Sequence, residues 1–276
     1  MASTEDQRFG GVWTELKLNA VEKYLGFFTT ALKNQPFKCC YIDAFSGSGS
    51  IKLNDGKVLD GSVLRALKYP FDLYYFFDTD KNHCIALSDK INAMYPEKTD
   101  IANIINGDCN EFFQEIDKKP WYIDNWRGVV FLDPYAMELS WSCLEKICKT
   151  KAFDVWYLFP FSATQRNLPR SGEIQQANED LLTKIFGSTD WKQHIYQESN
   201  QMKLWGDPDV EKIPEGLKNY IQSRLNQTFP TIAPNPVMLR NEKNSPMFLL
   251  CFAGSNPDVK AKALALKGAK HILDHV

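Results

Sequence analysis

The sequence predicts an α/β fold. The expected form is a Rossmann-like sheet of seven strands, mostly parallel, with an antiparallel late strand and a helical insertion after the fifth strand. Three observations carry this. Short apolar runs alternate with amphipathic stretches about five times, the pattern of a parallel sheet with helices on both faces. The runs are apolar throughout rather than alternating, as strands buried on both sides are. Most of them end at an aspartate, which brings acids repeatedly to the strand ends.

Residues 12–33 read as an amphipathic helix, with Leu16, Ala20, Tyr24 and Phe27 at helical spacing. The run 39–45 (CCYIDAF) is a buried strand that carries Asp43 and leads at once into GSGS. Further strands follow at 73–77, ending at Asp78; at 101–106, ending near Asp108; at 129–132, ending at Asp133; and at 153–159, ending at Pro160. Helical patterns near 62–68, 81–95, 110–116 and 140–149 fill the intervals. From about 162 to 212 the chain is polar and helical with no clear strand, and we read an insertion there. A helix at 214–226 precedes two strands, 236–240 and 246–253, joined by the polar turn NEKNS. That hairpin requires one antiparallel strand. The last helix, 258–273, has Asn256 or Asp258 as its cap. The whole, 1–276, reads as a single domain.

Composition narrows the function. With 44% apolar and 24% charged residues, the chain has an ordinary globular balance and enough length for a sizeable core. Its formal charge of -2 argues against non-specific nucleic-acid binding, which draws on a basic excess. Any such contact would be local, or supplied by a partner. The seven cysteines show no CxxC spacing, so no zinc site is expected and they read as reduced, buried thiols. His83, His194, His271 and His275 are scattered and receive no role. The start, MASTEDQRFGG, lacks the basic and apolar parts of a signal peptide, and no apolar run nears the ~20 residues that span a bilayer. A cytoplasmic protein without a membrane segment is expected.

The strongest motif is Asp43-Ala-Phe45-Ser-Gly47-Ser-Gly49. A strand delivers an acid, and a glycine turn then opens toward a helix. Glycines let the backbone turn sharply and approach a ligand closely. A bare Gly-x-Gly could equally be only a tight loop; the acids on the next strands decide between the two. Asp78 can accept hydrogen bonds from ribose hydroxyls, and Asp108 can accept an adenine amino hydrogen while a neighbouring amide reads a ring nitrogen. Asp43, under the glycine loop, suits a cationic methionyl group. Asp43, Phe45, Gly47, Gly49, Asp78 and Asp108 together describe a pocket for S-adenosylmethionine. A nicotinamide dinucleotide fits less well. Lys52 stands where its fingerprint needs a third glycine, and Asp78 lies 29 positions beyond Gly49 rather than roughly 20.

The fourth strand ends in Asp133-Pro134-Tyr135, the candidate catalytic group. The acid can hold an amino hydrogen and orient the nitrogen lone pair at a methyl group. The aromatic ring can stack on a flat base, which would have to flip out of a duplex. A strand-to-loop turn with a capped acid and a packed tyrosine is the plainer alternative. Lys17 could reach the pocket mouth and pair with a carboxylate, although a lysine on a helix is ordinarily solvated. Phe159, Phe161 and Arg166 could line the substrate side, with core packing the plainer account of the phenylalanines.

At these residues the sequence resembles the three-Cys-motif partner protein (TcmP) family. The matching pieces include Trp13-Thr-x-x-Lys17-Leu, Lys23-Tyr24-Leu25, Tyr41-Ile-Asp43-Ala-Phe-Ser-Gly47-Ser-Gly49 and Gly61-Ser62. Phe77-Asp78-x-Asp80, Phe131-Leu-Asp133-Pro134-Tyr135 and Phe186-Gly187-x-x-Asp190-Trp191 match as well. The resemblance spans nearly the whole chain. It implies a class I methyltransferase-like domain, similar near Asp133 to amino-methyltransferases of nucleic acids, and a cysteine-motif protein as partner. Ser46-Gly47-Ser48 departs from the family's frequent Ala-Gly-Pro, and Tyr135-Ala136 replaces a common phenylalanine-glycine pair.

Three functions are therefore in play. One is an S-adenosylmethionine-dependent methyltransferase for a base amine, with Lys151, Arg166 and Arg170 as local basic help. Another is a partner-docking module that uses Trp191 and Trp205. The third is a methyltransferase for a small molecule or a protein side chain.

Overall fold

A computed structural model of the chain describes residues 12–53, 56–169, 172–198, 210–213 and 215–276. The chain opens with α1 (Val12–Leu32), β1 (Lys38–Asp43), β2 (Ser50–Lys52), β3 (Val58–Asp60), α2 (Ser62–Ala66), β4 (Leu73–Asp78) and α3 (Lys81–Met94). It continues through β5 (Ala102–Asn106), α4 (Cys109–Glu115), β6 (Trp126–Leu132), α5 (Trp141–Lys149), β7 (Phe153–Phe159), α6 (Phe161–Arg166), α7 (Gln176–Phe186) and α8 (Trp191–Ile195). The last part comprises β8 (Tyr196–Glu198), β9 (Val210–Lys212), α9 (Gly216–Thr228), β10 (Thr231–Ile232), β11 (Val237–Arg240), β12 (Pro246–Gly254) and α10 (Val259–Leu273).

The main sheet runs β5-β4-β1-β6-β7-β12. Its first five strands are parallel, while β12 is antiparallel to β7, with Leu249 opposite Phe159 and Gly254 opposite Asp154. Two short strands share the outer edge of β12. β11 pairs along its first half and β10 at its last two residues. The seven strands expected from sequence are all present, with β10 as an eighth that two residues are too few to announce.

The central strands are apolar throughout because both faces are covered. On one side Tyr41, Phe131 and Trp156 pack under α1, α2, α3 and α10. On the other, Ile42, Val130 and Tyr157 pack under α4, α5, α7 and α9. The Tyr24 hydroxyl, buried in this core, donates to Asp154 Oδ2 at 2.7 Å.

Several expectations are corrected here. The insertion holds a β8–β9 ribbon as well as helices. Trp191 is buried against Phe186 and its Nε1 donates to Thr183 Oγ1, so it offers no docking surface. Lys151 sits in the turn before β7, at the end of the sheet away from the strand ends that bear the acids. Arg170, Trp205 and the stretch 1–11 lie outside the described residues. The cysteines are all free, and all but the half-buried Cys148 are buried. Among the described residues no helix is long and apolar enough to cross a membrane, and no cluster of metal-ligating residues forms.

Candidate functional site

Parallel strands bring their carboxyl ends to one edge, where connecting loops leave room for a ligand. A cavity of about 500 Å³ opens there, between the loop after β1, the ends of β4, β5 and β6, and the first turns of α1. Trp13, Thr14, Lys17 and Leu18 form the α1 wall, since positions three and four apart share a helical face. Phe248 of β12 closes the adjoining side.

The glycine loop is left-handed at Gly47 (φ +57°) and Gly49 (φ +82°). A Cβ on Gly49 would also come within 2.9 Å of Leu87 Cδ1. The turn does not open directly into a helix, as the motif suggests. The β2–β3 ribbon intervenes, and the Gly61 amide donates to the Gly49 carbonyl at 2.8 Å, returning the chain to where it left. Helix α2 thus begins beside the loop, and Ser62 joins the cavity wall.

The residues named from sequence for cofactor binding and catalysis all lie on the wall except Asp43. Asp43 is fully buried one layer beneath. It accepts hydrogen bonds from the Phe45 amide (3.2 Å), the Tyr41 hydroxyl (3.3 Å) and the Ser62 hydroxyl, and so braces the loop from below. Burial pushes its carboxyl up to about 6; the three hydrogen bonds hold it down, and nearby Asp133 raises it further.

The other acids reach the cavity. Asp78 accepts from the amides of Gly47 (2.9 Å) and Asp80 (2.7 Å), which ties β4 to the glycine loop. His83 Nδ1 lies 3.3 Å from its Oδ1. Asp108 is exposed and caps α4 through the Asn110 amide at 2.8 Å. Glu138 stands with them: partial burial raises its carboxyl, the Tyr135 amide opposes this, and Asp108 and Asp78 raise it further. Asp133 forms an ion pair with Lys17. Their side chains are only 20% and 8% exposed, so Lys17 is buried rather than solvated. Its ammonium also lies over the rings of Trp13 and Phe248. Pro134 is buried, whereas Tyr135 is 71% exposed at the mouth.

The cavity therefore has a polarity. Asp78, Asp80, Asp108 and Glu138 line one part, and Lys17 is the only lysine or arginine among the described lining residues. Beside Lys17 on the same helix face, the Thr14 hydroxyl is buried with no hydrogen-bond partner among the described residues. An orphaned hydroxyl on a cavity wall is a group awaiting a ligand or a water.

Sequence reading missed Thr14, Ser62, His83, Glu138 and Phe248. The helical spacing of Thr14 and Lys17 was a usable signal, as was the place of His83 in the first turn after Asp78-x-Asp80. Phe248 comes from a distant strand and gives no local signal. Phe159 and Phe161 are core residues, and they and the exposed Arg166 lie off the wall.

No protein-family model and no curated protein sequence matches the chain. Solved structures do resemble it. Protein LPL1258 from Legionella pneumophila (family model DUF519) superposes with a TM-score of 0.50, covering 96% of this chain and 94% of its own at 11% identity. The fold, a parallel sheet closed by an antiparallel β12 with helices on both faces, is the Rossmann-like α/β form expected from sequence. The N-terminal domain of EvdMO1, solved in the presence of SAH and D-fucose, gives a TM-score of 0.43 at 7% identity, covering 91% of each chain. The methyltransferase domain of bacterial CtHen1-CN gives 0.38 at 12% identity, covering 85% of this chain and 100% of its own. Likeness at such identities concerns the fold, and function has to be argued from the site.

Proposed function

We propose that this protein is an S-adenosylmethionine-dependent methyltransferase that methylates an amine, with a nucleic-acid base as its substrate. The observation that carries this reading is the cavity itself: a left-handed glycine loop tied to Asp78, with acids beyond successive strand ends and Lys17, the only lysine or arginine among the described lining residues, paired with Asp133.

The donor set fits the cofactor part by part. Asp78 spends two acceptor positions on backbone amides, and its two oxygens leave capacity for ribose hydroxyls. Asp108, exposed at the end of β5, would accept an adenine amino hydrogen. Lys17 and the orphaned Thr14 hydroxyl are the groups suited to the methionyl carboxylate, which the acids elsewhere on the wall would repel. The role suggested for Asp43 passes to these wall acids, because Asp43 itself supports the loop from below.

Bound there, the cofactor supplies a methyl group already activated on a sulfonium, so alignment and exclusion of water do most of the catalysis. Asp133 would hold one amino hydrogen through Oδ1 while Lys17 engages Oδ2, fixing the nitrogen lone pair toward the methyl. Lys17 has three donors and can serve both carboxylates. Tyr135, exposed at the mouth, would stack on the base, and the buried Pro134 holds the turn between them. The acidic wall keeps phosphates out of the cavity, so the backbone of a nucleic acid would run outside it. Arg166, exposed just beyond the carboxyl end of β7, is the described basic residue placed to meet it. The TcmP-like motifs add a cysteine-motif protein as partner, docking elsewhere than at Trp191.

Calorimetry with S-adenosylhomocysteine on wild type and Asp78→Ala tests the cofactor site, and wild-type binding that Asp78→Ala loses is expected. Labelled methyl transfer to RNA, DNA, protein extract and metabolites then tests the substrate. Labelling of nucleic acid should vanish in Asp133→Ala while cofactor binding persists. A wild-type protein that binds no S-adenosylhomocysteine refutes the assignment, and labelling of protein or metabolites alone refutes the substrate.

A further inference from the structure

A second cavity, of about 490 Å³, lies at the opposite end of the sheet, between the later turns of α1 and the first turns of α10. It shares no lining residue with the first. Its floor is a row across three strands, Asp154 of β7, Gly254 of β12 and Thr231 of β10, paired in register. A Cβ on Gly254 would sit 3.1 Å from Asp154 Oδ1 and 3.7 Å from Thr231 Cβ. The glycine therefore keeps open a slot one side chain wide between a carboxylate oxygen and a hydroxyl-bearing residue.

Both flanking groups are short of partners. Tyr24 donates to Asp154 Oδ2, and no partner for Oδ1 is found among the described residues. Burial pushes this carboxyl up to about 6 with the Tyr24 hydrogen bond opposing, and no cation among the described residues offsets it. Thr231 is 8% exposed, and its hydroxyl has no partner among the described residues. Asp154 is half-buried, and the buried Thr231 hydroxyl left so is costly unless a ligand or a water completes it.

The walls are apolar where α1 contributes Phe27 and Phe28. The outer part is cationic. The Arg127 guanidinium lies between the rings of Phe37 (4.3 Å) and Tyr122 (4.1 Å). Its Nη1 donates to the carbonyls of Tyr122 and Trp126, while Nε and Nη2 make no hydrogen bond among the described residues. Lys260 and Lys262, in the first turn of α10, outnumber the capping Asp258.

We propose that this cavity is a second ligand site that takes a small zwitterion. Its protonated amine would sit between Asp154 and Thr231, its apolar body against Phe27 and Phe28, and its acidic group at Arg127. A plain acid would meet Asp154 at the floor, and a plain amine would leave the Arg127 fork unused; a molecule with both ends satisfies both. The volume is within the range of small-molecule sites. None of these groups takes part in the proposed methyl transfer, so the two readings stand or fall separately.

Calorimetry on the full chain with 6-aminohexanoate, hexylamine and hexanoate tests this. 6-Aminohexanoate should bind the most tightly of the three. Arg127→Met should weaken it about tenfold or more, the scale of one charge-assisted bond, and leave hexylamine unchanged. Asp154→Asn should weaken both amines. Should that variant fail to fold, Thr231→Val serves in its place, with a loss of about tenfold for both amines, one hydrogen bond from a charged donor. Hexanoate binding as tightly as 6-aminohexanoate overturns the proposal. So does the absence of binding by all three probes, or 6-aminohexanoate binding that neither Arg127→Met nor Thr231→Val alters.

Discussion

Replacing Lys17 by methionine removes an ammonium while keeping most of the volume of its stem. Asp133 is then left at the cavity without its cation. Deleting one partner of a buried pair costs about 3–5 kcal/mol, whereas exposed pairs are worth about 0–1 kcal/mol. With side chains 8% and 20% exposed, this pair lies near the buried end, and the access of Asp133 to the cavity tempers it to about 3 kcal/mol. The ammonium also lies 5.2 Å from the Trp13 ring and 5.8 Å from that of Phe248, contacts worth about 0.5–1 kcal/mol. Urea unfolding of wild type, Lys17→Met, Asp133→Asn and the double variant gives the coupling directly. We expect Lys17→Met to lose about 3 kcal/mol and the double variant to recover at least half of it, because no unpaired charge remains. In parallel, the affinity of Lys17→Met for S-adenosylhomocysteine should fall about tenfold, the loss of one charge-assisted bond. A Lys17→Met protein within about 0.5 kcal/mol of wild type, with no coupling to Asp133, would show that the lysine is in effect solvated.

Two further outcomes are expected. Gly49→Ala should destabilise by about 2 kcal/mol in urea unfolding, since alanine is strained at φ +82° and its Cβ would press on Leu87; unchanged stability would mean the loop relaxes freely. Asp43 should make stability fall as pH rises, because its carboxyl stands at about 6 when folded against an ordinary 3.8. Protons bound there favour the folded chain below about pH 4, and that contribution, about 3 kcal/mol, is lost as pH rises through 6. Unfolding free energies at pH 4 and pH 7 should therefore differ less in Asp43→Asn than in wild type, and equal differences would exclude this role.

The sheet was legible because its central strands are buried on both faces and so spell unbroken apolar runs, most of them ending at an aspartate. Asp78, Asp108 and Asp133 needed nothing more to be placed at one edge. Structure made by very short segments was not legible. β8, β9 and β10 have two or three residues each, and no periodicity can be read from so few. Burial imposed from afar was also hidden. Lys17 has the look of any surface lysine until Trp13 and Phe248 close over it. Asp43 has the look of a ligand acid until the glycine loop folds across it. Trp191 suggests an exposed anchor in a polar stretch, yet α7 and α9 enclose it. In each case the deciding partner lies on another element, out of reach of a local pattern.

The hydrogen bond from Gly61 to Gly49 has a consequence for how this chain tolerates change. It pinches shut the neck of the eleven-residue excursion between them. An appendix tied off at its base can lengthen, shorten or change composition at its tip while the backbone it leaves stays in place, since extra loop length adds little to the cost of closure. The tip of this ribbon is thus the natural point at which related chains could diverge, or an engineer could splice, without disturbing the glycine turn below.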